Sequence, residues 1–321
     1  DLEVLLSLLY LHFTDPREDK SAFTNYKSRL KELIKNRTTQ PQIVFQDTLN
    51  ALLSGDHYRS RPLNEERLKE FEFDEAYSLY RERFSDASDF TFFFIGNVNL
   101  RILRPLVERY IGGLPSEHRK EQWRDLQIDP PEGIVKETIE KGIEPKSRVA
   151  VVFHGERKWT REEAFTLSAL AEVLEIRLRE VIREEEGGTY HVASQSSFSK
   201  YPEGTYFLFI SFSCDPSRAG ELKSRLYSAL ASLKEDGPSK TNLEKVRAAF
   251  LRTLEENRRT NAYWLGELRK TYLYDLSPES LLKRKEYIQD LSVEKMKKAA
   301  AEYMQMERYV ELVLYPEEKA D

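Results

Sequence analysis

A chain of 321 residues is longer than one ordinary core requires and suits two domains of roughly 150 residues each. With 40% hydrophobic and 33% charged residues it is too apolar to be disordered and too well charged to be anything but a solvated globular protein. Its 50 Lys and Arg against 55 Asp and Glu leave a net charge of −5, which offers neither nucleic acid nor an anionic membrane a complementary field. The lone Cys214 excludes an internal disulfide and a cysteine-based zinc site, and its place in an apolar run predicts a buried, inert thiol. No apolar run reaches the length of a membrane span, and the opening Asp1 to Tyr10 has neither a basic region nor a cleavage site. A first residue other than Met, set within a helical pattern, predicts a piece of a longer protein.

In chain order, Leu5, Leu8, Leu9 and His12-Phe13 predict the first helix, Phe23 to Ile34 the second, and Gln42 to Leu53 after Pro41 the third. Leu68 to Phe84 predicts another helix, and the apolar run Phe90 to Ile95, ended by Gly96-Asn97, predicts a buried strand. Leu100 to Tyr110 is helical and stops at Gly112-Gly113 and Pro115. The polar segment after it contains Pro130-Pro131 and predicts a linker, giving a first domain over 1–120, a linker over 121–134 and a second domain over 135–321. Beyond it, Lys136 to Glu140 and Arg148 to Phe153 predict strands, Arg161 to Arg183 a long helix, and Tyr190 to Ser197 with Thr205 to Ser213 an antiparallel pair. Helices over Ser217 to Leu233, Thr241 to Arg258 and Glu294 to Tyr303 precede a last strand, Tyr309 to Leu314. The fold class is α+β, with helices packed on a sheet in each domain.

The five histidines, His12, His57, His118, His154 and His191, include no pair at metal-binding helical spacing, and no metal ligand is assigned. Phosphate-loop, dinucleotide-binding and serine-hydrolase motifs are absent too. What stands out is Arg183 to Tyr190, an arginine and a tyrosine on either side of Gly187-Gly188. Glycine permits the chain to reverse there, so that a guanidinium and a phenol, both donors, can converge on one opening. Such donors suit a peptide carbonyl that gains negative charge under attack. The plainer alternative has Arg183 capping a helix C-terminus and Tyr190 packed in a sheet, and composition alone favours it.

The segment Leu178 to Val192 resembles the L-x-x-x-x-R-E-x-x-G-x-x-Y-x-V signature in the C-terminal half of pitrilysin-type M16 zinc metallopeptidases, the inverzincins. Tyr80 to Asn97 is similar to that family's helix-to-strand segment and Tyr110 to Pro115 to its closing Y-I-G-x-L-P, while Lys141 to Ser147 and Asn261 to Leu265 resemble stretches of bacterial members. These matches span nearly the whole chain in the family's order.

The resemblance implies two tandem homologous α+β domains, each a mainly antiparallel sheet with helices packed on it in the LuxS/MPP-like metallohydrolase fold, the first lacking its leading strands. It implies that a separate or fused N-terminal half holds zinc through His-x-x-Glu-His, and that this half holds none. Arg183 and Tyr190 would be the donors to substrate and transition state, with Gly187, Gly188 and His191 contacting substrate. The expected partners are that N-terminal half and a peptide, with a homodimer allowed; alone, the chain would be inactive. Analogy with exported relatives places it in the periplasm, with the cytoplasm as the alternative. The competing reading is a non-catalytic core-protein-like subunit or peptide-binding module that keeps the fold without the chemistry.

Overall fold

The computed structural model describes residues 1–183 and 189–317; at Arg183, Thr189 and Tyr190 it describes the backbone alone. The chain divides into two compact units, one of residues 1–37, 62–126 and 261–269, the other of residues 38–61, 127–260 and 270 onward. Its first part carries α1 (Leu2–Thr14), α2 (Lys20–Arg37), α3 (Pro41–Leu53), α4 (Glu65–Lys69), α5 (Phe73–Phe84) and α6 (Leu100–Tyr110). All of these except α3 lie in the first unit.

In that unit the apolar stripe of α1 turns Phe13 inward, where its ring meets Phe84 and Phe90 edge-on at centroid distances of 5.0 and 4.8 Å. Leu68 to Phe84, expected as one helix, is instead α4 and α5 with a break at 70–72. Lys27 Nζ donates to the carbonyls of Lys69 and Phe71 at 3.3 and 2.6 Å, taking up acceptors at the break. Phe90 to Ile95, expected as a strand, forms no β-ladder. A strand exists only as one side of a ladder, and the described residues of this unit supply no second side. The turn before it is fixed by the buried carboxylate of Asp86, which accepts the backbone N–H groups of Ser88, Glu117 and Arg119 at 2.9, 3.1 and 2.9 Å. The Ser88 side chain, together with those backbone donors, holds its pKa well below the usual carboxylate range.

The second unit is built on one five-stranded sheet. Its strands are β1 (Ile134–Glu140), β2 (Ser147–Glu156), β3 (Thr189–Phe198), β4 (Thr205–Cys214) and β5 (Tyr309–Tyr315), in the order β1-β5-β2-β4-β3. Within it β1 and β5 run parallel, and the other neighbours are antiparallel. The later helices of the chain are α7 (Arg161–Leu178), α8 (Ala219–Asp236), α9 (Lys240–Asn257), α10 (Asn261–Leu273), α11 (Arg284–Gln289) and α12 (Val293–Tyr303), of which α10 lies mostly in the first unit. Thr160 caps α7 by accepting the N–H of Glu163 at 3.0 Å, a Ser/Thr-x-x-Glu start that is local in origin. In the β3–β4 connection Gly204 has φ +81°, and a Cβ there would lie 2.0 Å from the Arg157 carbonyl, so only glycine closes the turn.

One face of the sheet is covered by α3, whose Phe45, Leu49 and Leu53 pack with Ala150 and Val152 of β2 and Val310, Leu312 and Leu314 of β5. The other face is covered by helices from later in the chain: Tyr303 of α12 packs edge-on against Tyr206, and Tyr227 of α8 reaches Glu311. With both faces covered, β2 is buried almost throughout, whereas β4 strictly alternates buried with half-buried residues. Phe45 also carries the Arg148 guanidinium 4.9 Å above its ring.

His154 shares the α3-side face of β2 with Ala150 and Val152. It is 2% exposed, and its Nε2 has no hydrogen-bond partner among the described residues. Burial, with the charge of Arg308 adding to it, pushes its pKa down to about 4.

This packing has two measurable consequences. Phe45→Ala should destabilise the second unit by about 3–5 kcal/mol in urea titration, since it empties the contact between α3 and the sheet. For His154, the folded state resists a proton that the unfolded chain accepts near pH 6.5, so its contribution is fully present above that pH. Stability should therefore fall as pH drops from 6.5 towards about 4, and in His154→Leu the slope of unfolding free energy against pH over that window should correspond to up to one proton fewer.

Candidate functional site

The helix α7 does not run unbroken to Arg183. At its end the chain widens into a single π-helical turn, Arg179–Arg183, before returning as β3. Ile182 within that turn is 1% exposed and anchors it in the core. The turn is also tied at Glu180, both of whose oxygens accept from Asn242 Nδ2, at 3.0 and 3.2 Å. Upstream, Glu175 pairs with Arg179 and accepts the backbone N–H of Ser194 in β3 at 3.4 Å, linking helix to strand.

At the start of β3 the register against β4 slips: Thr189 lies opposite Cys214 and His191 opposite Ser213, leaving Tyr190 as the extra residue of a bulge. The two candidate donors thus both sit on backbone irregularities, Arg183 closing a π-turn and Tyr190 forming a bulge. Each irregularity inserts one residue into a regular repeat. Both kinds recur at functional sites, where they re-aim side chains. His191 is exposed in β3, while Gly187 and Gly188 lie outside the described residues. Among the described residues β3 is an end strand of its sheet, paired on one side by β4. Phe207 and Phe209 of β4, stacked at 5.8 Å, are half-buried on the face it shares with β3.

Other candidate chemistry falls away on geometry. Cys214 is fully buried, and burial, helped by Asp215, pushes its thiol up to about 11, so it is not a nucleophile. Glu311, 3% exposed in β5, accepts from Lys223 Nζ at 2.8 Å and from the Tyr227 hydroxyl. Burial alone would raise that carboxyl, but the two donors outweigh it and hold it below its ordinary range, as expected of a structural ion pair. His12, His57, His118, His154 and His191 stay on separate elements, and among the described residues no three His, Cys, Asp or Glu side chains gather as a metal site. None of the described helices is long and apolar enough to cross a membrane.

Sequence reasoning missed Glu180, Asn242 and Glu175. Asn242 follows the cap residue Ser239 by three positions, a local signal for helix α9 only, and nothing local connects it to Glu180, 62 positions earlier.

Comparison with known proteins supplies the context of this arrangement. The chain is 26% identical over 290 residues to the zinc protease PQQL-like of Arabidopsis thaliana, a match covering 85% of this chain and 30% of that protein. It superposes on the periplasmic protease PqqL from Escherichia coli with a TM-score of 0.83 at 20% identity, covering 98% of this chain and 35% of that one. The first half of the same protease also superposes, with a TM-score of 0.71 at 15% identity over 98% of this chain and 70% of that one. Both superpositions establish the fold alone. The chain therefore spans about a third of the length of these full-length relatives. The family described as the Peptidase M16 inactive domain matches residues 70–250, more than half of the sequence, and the chain belongs to that family.

Proposed function

We propose that this chain is the C-terminal, non-zinc-binding half of an M16 zinc metallopeptidase, enclosing a peptide substrate together with an N-terminal half and donating Arg183 and Tyr190 to the site formed between them. The observation that carries this reading is membership of an inactive-domain family whose longer relatives are zinc proteases. The signature arginine and tyrosine, placed on a π-turn and a bulge, support it. Zinc, held by His-x-x-Glu-His in the N-terminal half, would supply the activated water. The contribution of this chain would be to bind and orient. A guanidinium and a phenol donate to the carbonyl oxygen of the scissile bond and gain strength as charge develops there. Gly187, Gly188 and His191 would contact the substrate backbone, and the one-sided edge of β3 suits an extended peptide.

Further chain is also suggested by α1, whose Val4, Leu5, Leu8 and Leu11 are 46–60% exposed on one stripe, an apolar surface that another part of the longer protein would cover. By analogy with the Escherichia coli protein the compartment is the periplasm.

In the complete two-half enzyme, Arg183→Ala should lower kcat by on the order of 100-fold and Tyr190→Phe by at least ~10-fold, with zinc content by elemental analysis unchanged. Unaltered kinetics in both variants would refute the assignment. The isolated chain should hydrolyse no peptide, with or without added zinc.

A further inference from the structure

We propose that Asn242 is a positioning residue for Arg183, acting through Glu180 and the π-turn. This role rests on the reading of Arg183 as a donor. A π-turn at a helix end departs from the regular repeat, so tertiary ties help decide where its residues lie. Besides the Glu175–Arg179 pair at its start, two ties lie further along it. Ile182 is sunk in the core, and Glu180 is gripped through both carboxylate oxygens by the Asn242 amide. Arg183 is the last residue of the turn, directly after Ile182 and three beyond Glu180.

The grip is built for holding. A carboxylate only accepts, so both contacts define the amide orientation, with Nδ2 towards Glu180. Asn242 is itself 8% exposed and pinned at the start of α9, where its backbone N–H donates to Ser239 Oγ at 3.1 Å. The preceding reversal is equally constrained. Gly237 has φ +74°, and a Cβ there would lie 2.9 Å from Val293 Cγ1. Around the pair the packing opens into a cavity of about 400 Å³ lined by Arg177, Glu180, Asp236, Ser239 and Asn242. The turn is therefore not wedged by close packing on that side, and it has room to shift once the amide is removed. Arg177, whose guanidinium is 3.8 Å from Glu180, would take the carboxylate over and spare stability while moving the turn.

A double-mutant cycle in the complete two-half enzyme, read with an internally quenched decapeptide, tests the inference. Asn242→Ala should lower kcat by about tenfold with KM within about twofold and Tm nearly unchanged, because a displacement on the order of 1 Å at a donor costs rate rather than binding. On an Arg183→Ala background the same substitution should lower kcat no further. Glu180→Gln, which keeps an acceptor for the amide, should retain most of the activity, and Asn242→Asp, which sets carboxylate against carboxylate, should not. Asn242→Ser serves in the cycle if the alanine variant folds poorly. If Arg183→Ala lowers kcat while Asn242→Ala leaves it intact, or if the two effects multiply, the positioning role is refuted and the donor role stands. If Arg183→Ala itself has no effect, the donor role fails and this one with it.

Discussion

Burial of β2 and β5 on both faces is the constraint on which the rest of the second unit depends. Phe45, Leu49 and Leu53 of α3 close one side, and helices from the far end of the chain close the other. A strand buried on both faces has little freedom of register, because a slip of one residue would exchange its whole set of core contacts. The buried length of β5 admits a charge at Glu311, and Lys223 and Tyr227 meet it. The cover thins towards β4 and β3. There one face opens, β4 alternates in burial, and β3 ends the sheet, paired on one side among the described residues. The candidate site lies at the start of that last strand, where the scaffold is rigid behind it and open beside it.

Among the described residues from 179 to 191 the backbone departs from regularity at the π-turn and at the bulge that opens β3. Each departure rotates the residues after it relative to the regular repeat. Both residues of the signature fall on these two points. Glu175 and Glu180 then moor the turn to β3 and to α9.

Much of the second unit was legible in the sequence. The alternating run Thr205 to Ser213 is β4, the Thr160 to Glu163 cap starts α7, and Tyr309 to Leu314 is β5, because these signals act between residues no more than four positions apart. Phe90 to Ile95 was misleading for the same reason. Its apolar, aromatic composition suits a strand, but composition cannot show whether a second strand is there to pair with it, and its rings instead pack around Phe13. Where a single helix was expected from Leu68 to Phe84, the chain breaks at 70–72, and Lys27, more than 40 positions away, donates to the Lys69 and Phe71 carbonyls there.

The sequence by itself determined many of the helices, the strands of the second unit's sheet, and the family, through a signature whose residues are close together in the chain. Tertiary structure alone decided that α3 covers the sheet of the second unit, that the strands are ordered β1-β5-β2-β4-β3, and that Asn242 holds Glu180 across 62 positions. The physical reason is range. Periodicity and capping are settled by backbone geometry over a turn or two, whereas these pairings exist only once the fold has brought distant side chains together. The arginine and tyrosine belong to both: their spacing is written in the chain, and the turn and bulge beneath them are set by what the fold packs against α7 and β3.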